Sequence, residues 1–114
     1  LAKADLISLD EFKYYLEQDG VQIVDVRGAT EYEAGHIDGA ENIFVGTLTD
    51  HLDKISKDKL VIIHCQAGDR ATIAYSILAK NGFGNVKNFQ GGMKKWLAAG
   101  DNTTRCTETS RVNA

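Results

Sequence analysis

At 114 residues the chain has room for one domain around a single core and not for two. Hydrophobic residues at 43% and charged residues at 25% are ordinary for a globular protein, and a net charge of -3 argues against a nucleic-acid binder, which would carry a basic face. The longest apolar run, "LVII" from Leu60 to Ile63, is far short of the roughly 20 residues of a membrane span, so neither nucleic acid nor membrane is expected as a partner.

In chain order, Leu6 and Ile7 give a weak first strand, followed at Ser8 to Glu11 by the capping-box pattern "SLDE". A helix is predicted from there to about Glu17, stopped near Asp19-Gly20. "VQIVDV" from Val21 to Val26 is a strand whose largely continuous rather than alternating hydrophobicity implies burial on both faces. "TEYE" from Thr30 to Glu33 reads as a second capping box, on a short helix ending at Gly35. "NIFV" (Asn42 to Val45) is a short strand. "LTDHLDKI" (Leu48 to Ile55) is a helix with Thr49 or Asp50 as its cap. "LVIIHC" (Leu60 to Cys65) is the most hydrophobic strand. "ATIAYSILAK" (Ala71 to Lys80) has helical periodicity and stops at Asn81-Gly82. "VKNF" (Val86 to Phe89) is the last strand, and "GMKKWLAAG" a last helix ending at Gly100. Strands alternating with helices imply an α/β fold, a parallel sheet covered on both faces. The expected division is a domain over 1–100 and a polar tail over 101–114, where aromatic residues and periodicity are lacking.

Two cysteines are too few for a disulfide scaffold, and no Cys/His spacing fits zinc, so no metal or other cofactor is expected. A Cys65–Cys106 disulfide would require an oxidising compartment, and nothing flanking Cys106 positions it for chemistry. The chain begins at Leu1 rather than Met, so a processed or trimmed product is expected. A cytoplasmic location is the expectation, with periplasm or an organelle as the alternative after loss of a targeting segment.

The chemistry concentrates in "HCQAGDR", His64 to Arg70. In open α/β sheets ligands gather at the carboxyl ends of strands, and Cys65 ends the most buried strand just before a helix. The N–H groups of Gln66, Ala67, Gly68, Asp69 and Arg70 are expected to curl around its sulfur, with the positive helix terminus behind them favouring thiolate. Gly68 permits a backbone angle that a side chain opposes. Arg70 offers a planar fork suited to an oxyanion. A cysteine ending a core strand is most often just a small buried apolar residue. Such a cysteine, however, has no need of the Gly and Arg that follow here. His64 reads as a hydrogen-bonded wall residue rather than a base.

The loop is similar to the H-C-x-x-G-x-x-R loop of protein tyrosine phosphatases but one residue shorter. A phosphoryl group needs a wide cradle, and a narrower ring of donors suits one sulfur atom carried on the cysteine, a persulfide. A phosphatase or arsenate reductase, which share this type of fold with longer loops, is thereby disfavoured.

Three boxes in order extend the comparison: "VDVRGATEYEAGHIDGAENI" (Val24 to Ile43), "CQAGDR" (Cys65 to Arg70) and "NFQGGMKKWLAAG" (Asn88 to Gly100). Together they resemble a single-domain rhodanese, of the sulfurtransferase family. The resemblance implies a central five-stranded parallel sheet with helices on both faces. It implies a ping-pong reaction in which Cys65 takes sulfane sulfur from a donor such as thiosulfate and passes it to a thiol or cyanide. The Cys-x-x-Gly-x-Arg form resembles thiosulfate:thiol enzymes, so glutathione or a thioredoxin-like protein is the expected acceptor. A persulfide carrier that hands sulfur between partners would need the same loop.

Asp25 and Arg27 end a strand beside the cysteine strand; they could support the loop, or pair with each other or with Glu31 and Glu33, and structure is the better reading. His36 is expected to tie neighbouring backbone. Gly91-Gly92 should bring a loop close to the site while Trp96, Tyr75 and Phe83 pack the core. Asp38 stands where relatives carry Pro, which should loosen that turn. Asp69 brings the loop's formal charge to about zero, which weakens its attraction for thiosulfate.

Overall fold

The computed structural model describes residues 5–103. Its strands are β1 (Leu6–Ile7), β2 (Val21–Asp25), β3 (Glu41–Asn42), β4 (Leu60–His64) and β5 (Val86–Phe89), and its α-helices α1 (Leu9–Leu16), α2 (Ala29–Ala34), α3 (Asp69–Lys80) and α4 (Gly92–Ala98). All strand pairs are parallel, in the order β1-β5-β4-β2-β3. The most hydrophobic strand is thus central, as its burial from Val61 to His64 requires.

Side-chain alternation sorts two cores. Val24, Val26, Val61, Ile63 and Cys65 face α3 and a 3-10 segment over Val45–Lys54, joining Leu48, Ala74 and Leu78. Ile23, Ile62 and Phe89 face the other way, onto Phe12 of α1 and Met93 and Trp96 of α4. Phe12 stacks on Phe89 at 4.4 Å between ring centroids and meets Trp96 edge-on at 5.8 Å. Helices therefore cover both faces of the sheet.

The Ser8 capping box forms as expected, with Ser8 Oγ accepting the Glu11 N–H at 3.1 Å and Glu11 accepting the Ser8 N–H at 2.8 Å. The second box is different: Gly28, not Thr30, caps α2, and Glu31 accepts its N–H at 3.2 Å. Nor does Thr49 or Asp50 cap an α-helix. The chain turns into the 3-10 segment at Phe44 and leaves helical geometry at His51 (φ -128°), while Leu48, Leu52 and Ile55 pack onto the core at the spacing the sequence suggests. The Asp38 turn closes firmly, with the Ala40 N–H on Ile37 O at 3.0 Å and Gly39 at φ +89°. His36 Nδ1 lies 2.8 Å from Tyr32 O, with the two rings stacked at 3.7 Å. Phe83 and Trp96 are buried, whereas Tyr75 is only partly so. Cys106 and most of the proposed tail lie outside the described residues. Among the described residues no helix is long and apolar enough to cross a membrane.

Candidate active site

β4 delivers Cys65. Val61 and Ile63 point to the α3 side, and Cys65, one residue past the strand, continues that alternation with 1% of its surface exposed. Gly68 then turns the chain into α3 at φ +106°, which only glycine adopts readily; a Cβ there would also lie 2.8 Å from Gln90 Cγ and 3.0 Å from Gln90 O. The turn aims backbone donors at the sulfur. Cys65 Sγ accepts the Gly68 N–H at 3.0 Å and the Ala71 N–H at 3.3 Å. Both present their positive ends to the sulfur, the polarity an anionic sulfur requires.

A second element holds the loop from below. At the start of α4, Gly92 stands at φ +58°, so close that an added Cβ would be 2.3 Å from Cys65 O and 2.8 Å from Gln66 O. The two following N–H groups, ordinarily unpaired at a helix start, are satisfied by the loop: Met93 donates to Cys65 O and Lys94 to Gln66 O, both at 2.9 Å. The expected approach of Gly91-Gly92 to the site is therefore a backbone clamp.

The polar residues beside the loop divide into two groups. Asp25 and Arg27 pair with each other in a buried fork, with Arg27 Nη2 2.7 Å from Asp25 Oδ2 and Arg27 Nε 3.0 Å from both oxygens. Arg27 also donates to Gly35 O at 2.8 Å, and Asn42 Nδ2 bonds the carbonyls of both Asp25 and Arg27. These bonds tie the end of β2 to the α2 turn and to Asn42. His64 is fully buried: its Nδ1 lies 3.3 Å from Cys65 O and its Nε2 3.9 Å from Asp25 Oδ2. Burial pushes the His64 pKa down, against the opposing pull of the Asp25 charge.

Arg70, expected to present its fork to an anion, instead grips Glu31 of α2, with Nη1–Oε1 at 2.6 Å and Nη2–Oε2 at 2.9 Å. These bonds hold the Glu31 carboxyl down at a pKa of about 2. Asp69 is exposed at the first position of α3, where its charge suits the helix terminus. Gln66 is half-buried and Ala67 exposed. Clefts flank the loop on two sides. One of 360 Å³ includes Arg27, Glu31, Gln66 and Leu97, and one of 330 Å³ includes Ala67, Gly91, Lys94 and Lys95. A depression of 370 Å³ lies at the other end of the sheet, around Val21 and Lys59, away from the sulfur. Among the described residues no cluster of His, Cys, Asp and Glu is arranged to hold a metal ion.

Sequence reasoning missed Ala71, the pairing of Glu31 with Arg70, and the Met93 and Lys94 N–H bonds that make the Gly91-Gly92 approach a clamp. Ala71 was within reach, since Asp69 after Gly68 is itself a helix-start pattern and places Ala71 in the first turn. Glu31 had no such signal, lying 39 residues from Arg70 along the chain.

A parallel α/β domain with a cysteine sulfur cradled by backbone N–H groups, between its central strand and the next helix, defines a class of proteins that carry a group on that sulfur. Within this class the chain belongs to the rhodanese-like family, whose domain model matches residues 8–99. It is 34% identical over 91 residues to the putative sulfur carrier protein YrkF of Bacillus subtilis, covering 79% of this chain and 49% of that protein. It also spans only 60% of another B. subtilis relative, to which it is 43% identical over 75 residues. With the thiosulfate sulfurtransferase GlpE of Shewanella oneidensis it shares 30% identity over 93 residues, covering 82% of this chain and 92% of the relative. A crystal structure of a rhodanese-like domain protein from Staphylococcus aureus superposes with a TM-score of 0.81 at 34% identity, covering 90% of this chain and 99% of that one. The family is one of sulfurtransferases and sulfur carriers.

Proposed function

We propose that the chain is a sulfurtransferase in which Cys65 carries sulfane sulfur as a persulfide. The observation that carries this reading is the pair of N–H donors closed on Cys65 Sγ within a loop that has four residues between Cys65 and Arg70. The Cys65 thiolate attacks the outer sulfur of a donor such as thiosulfate; the S–S bond of the donor breaks and sulfite leaves with the bonding pair. The new persulfide sulfur sits over the loop, where the same donors offset its negative charge. An acceptor thiolate, from glutathione or a thioredoxin-like protein, or cyanide, then attacks that outer sulfur and frees the Cys65 thiolate. A barely exposed cysteine suits attack on a slender terminal sulfur better than on a bulky phosphoester. The proposed location is cytoplasmic, where thiol acceptors are abundant.

A carrier role, passing sulfur between proteins, is supported by the similarity to a putative sulfur carrier protein. The deciding experiment is mass spectrometry of Cys65 after exposure to thiosulfate and then to glutathione. Gain of one sulfur mass and its loss to the thiol, absent in Cys65→Ala, supports transfer; failure to load from any sulfane donor refutes it. Multiple turnover with small molecules favours the enzyme, and discharge only to a protein thiol favours the carrier.

A further inference from the structure

We infer that Glu31 is a specificity-determining residue that occupies the Arg70 fork and biases the site against dianionic thiosulfate, toward thiol persulfides of the form R–S–SH. This rests on the sulfurtransferase reading of Cys65 and deepens it by naming the donor class.

Arg70 is the cation of the cysteine loop, and a guanidinium binds a sulfonate through two parallel N–H bonds. The end face of that fork is taken: Nη1 and Nη2 each bond a separate oxygen of Glu31, at 2.6 and 2.9 Å. Glu31 is itself held in position, because its Oε1 also accepts the Gly28 N–H at the start of α2. Its carboxylate lines the 360 Å³ cleft beside Gln66, so a donor entering there meets a negative wall. The Glu31 carboxylate offsets the Arg70 charge where a dianion would meet it, and Asp69 adds a further negative charge at the start of α3. The Glu31 and Arg70 side chains are 41% and 32% exposed, so the pair can be opened by competition at modest cost.

The two donor classes differ in what their leaving group demands. Thiosulfate must place a sulfonate in the site and release sulfite, a dianion. A thiol persulfide releases a thiolate: the Cys65 thiolate attacks the outer sulfur, the S–S bond of the donor breaks, and RS⁻ departs with the electron pair while the proton stays on the transferred sulfur. Both transfers conserve charge, but the thiol persulfide brings no sulfonate into the site, so no second cation is called for.

The test compares wild type, Glu31→Gln and Glu31→Ala with thiosulfate and with 2-hydroxyethyl persulfide, which carries no charge outside its sulfur atoms. Freeing Arg70 should lower the KM for thiosulfate by about two- to fivefold, the range of a partly exposed ion pair, with kcat and the persulfide kinetics little changed. α2 buries none of its own side chains, so the fold should tolerate both variants; urea unfolding of each checks this. A KM for thiosulfate that is unchanged or raised, or equal shifts with both donors, overturns the inference while leaving Cys65 transfer intact. Loading of wild-type Cys65 by neither donor overturns the underlying reading and the inference with it.

Discussion

Replacing Gly92 by Ala tests whether the start of α4 clamps the cysteine loop. The added methyl would lie 2.3 Å from Cys65 O and 2.8 Å from Gln66 O, whereas nonbonded carbon contacts are comfortable at about 3.5 Å. The loop carbonyls must therefore retreat by about 1 Å. That movement forfeits the 2.9 Å bonds from the Met93 and Lys94 N–H groups, each worth about 0.5–1.5 kcal/mol net. Holding alanine at φ +58° costs about 1–2 kcal/mol more. Together these come to about 2–5 kcal/mol, a large share of the roughly 5–15 kcal/mol that stabilises a domain. Gly20→Ala is the control: its φ is +75°, but nothing lies within 4 Å of the added methyl, so only the backbone cost applies. Urea unfolding gives both losses, and mass spectrometry of Cys65 under folded conditions gives sulfur loading. Gly92→Ala should be the less stable of the two and should load sulfur at least tenfold more slowly, an expectation for displaced sulfur donors. Equal stability losses in the two variants, or wild-type loading by Gly92→Ala, would refute the clamp.

Asp25→Asn should cost about 3–5 kcal/mol in urea unfolding, because it strands the buried Arg27 guanidinium; a loss under 1 kcal/mol would show that the pair is dispensable. Stability should be level above pH 6.5 and fall as the pH drops below it. His64 has its folded pKa depressed below 6.5, so the unfolded chain binds the proton first and is favoured on acidification. Unfolding measured between pH 7 and about 5 should give this slope, and His64→Gln should flatten it. Glu31 acts in a lower window, since its contribution is full above 4.5 and is lost as the pH falls toward about 2. For so exposed a pair that contribution is at most about 1 kcal/mol. Inserting one alanine after Gly68 should move the Ala71 N–H off the sulfur, abolish loading from sulfane donors and allow vanadate to protect Cys65 from alkylation. An insertion variant that still loads at the wild-type rate would show that loop length is not what selects sulfur.

Much of the fold was legible because its signals are local. The apolar run from Leu60 to Ile63 has only one comfortable place in a parallel sheet, the centre, and the structure puts β4 there. The Ser8 box needs only side chains three residues apart. The errors fall where a local pattern lacked a tertiary partner to enforce it. Thr30 had the right chemistry for a cap, but the helix after Arg27 begins two residues too early for it, so Gly28 takes the cap position. The 3-10 segment carries helix-like letters from Leu48 to Ile55, and Leu48, Leu52 and Ile55 do reach the core, but nothing in those letters signals the non-helical turn at His51.

The site divides along the same line. Gly68 could be assigned from sequence because a tight strand-to-helix turn demands a positive φ, and the structure gives +106°. The partner of Arg70 could not, because a guanidinium's charge says that something will pair with it but not what. The sequence offered a substrate anion, and folding supplied Glu31 first. The same holds for the loop carbonyls: only the packing of α4 under β4 decides that Met93 and Lys94 meet them. Residues that act directly on the sulfur are thus written in one short stretch. Those that set its selectivity and rigidity are contributed by other helices, so a substitution at Glu31 should change which donor is used and one at Gly92 how fast sulfur loads.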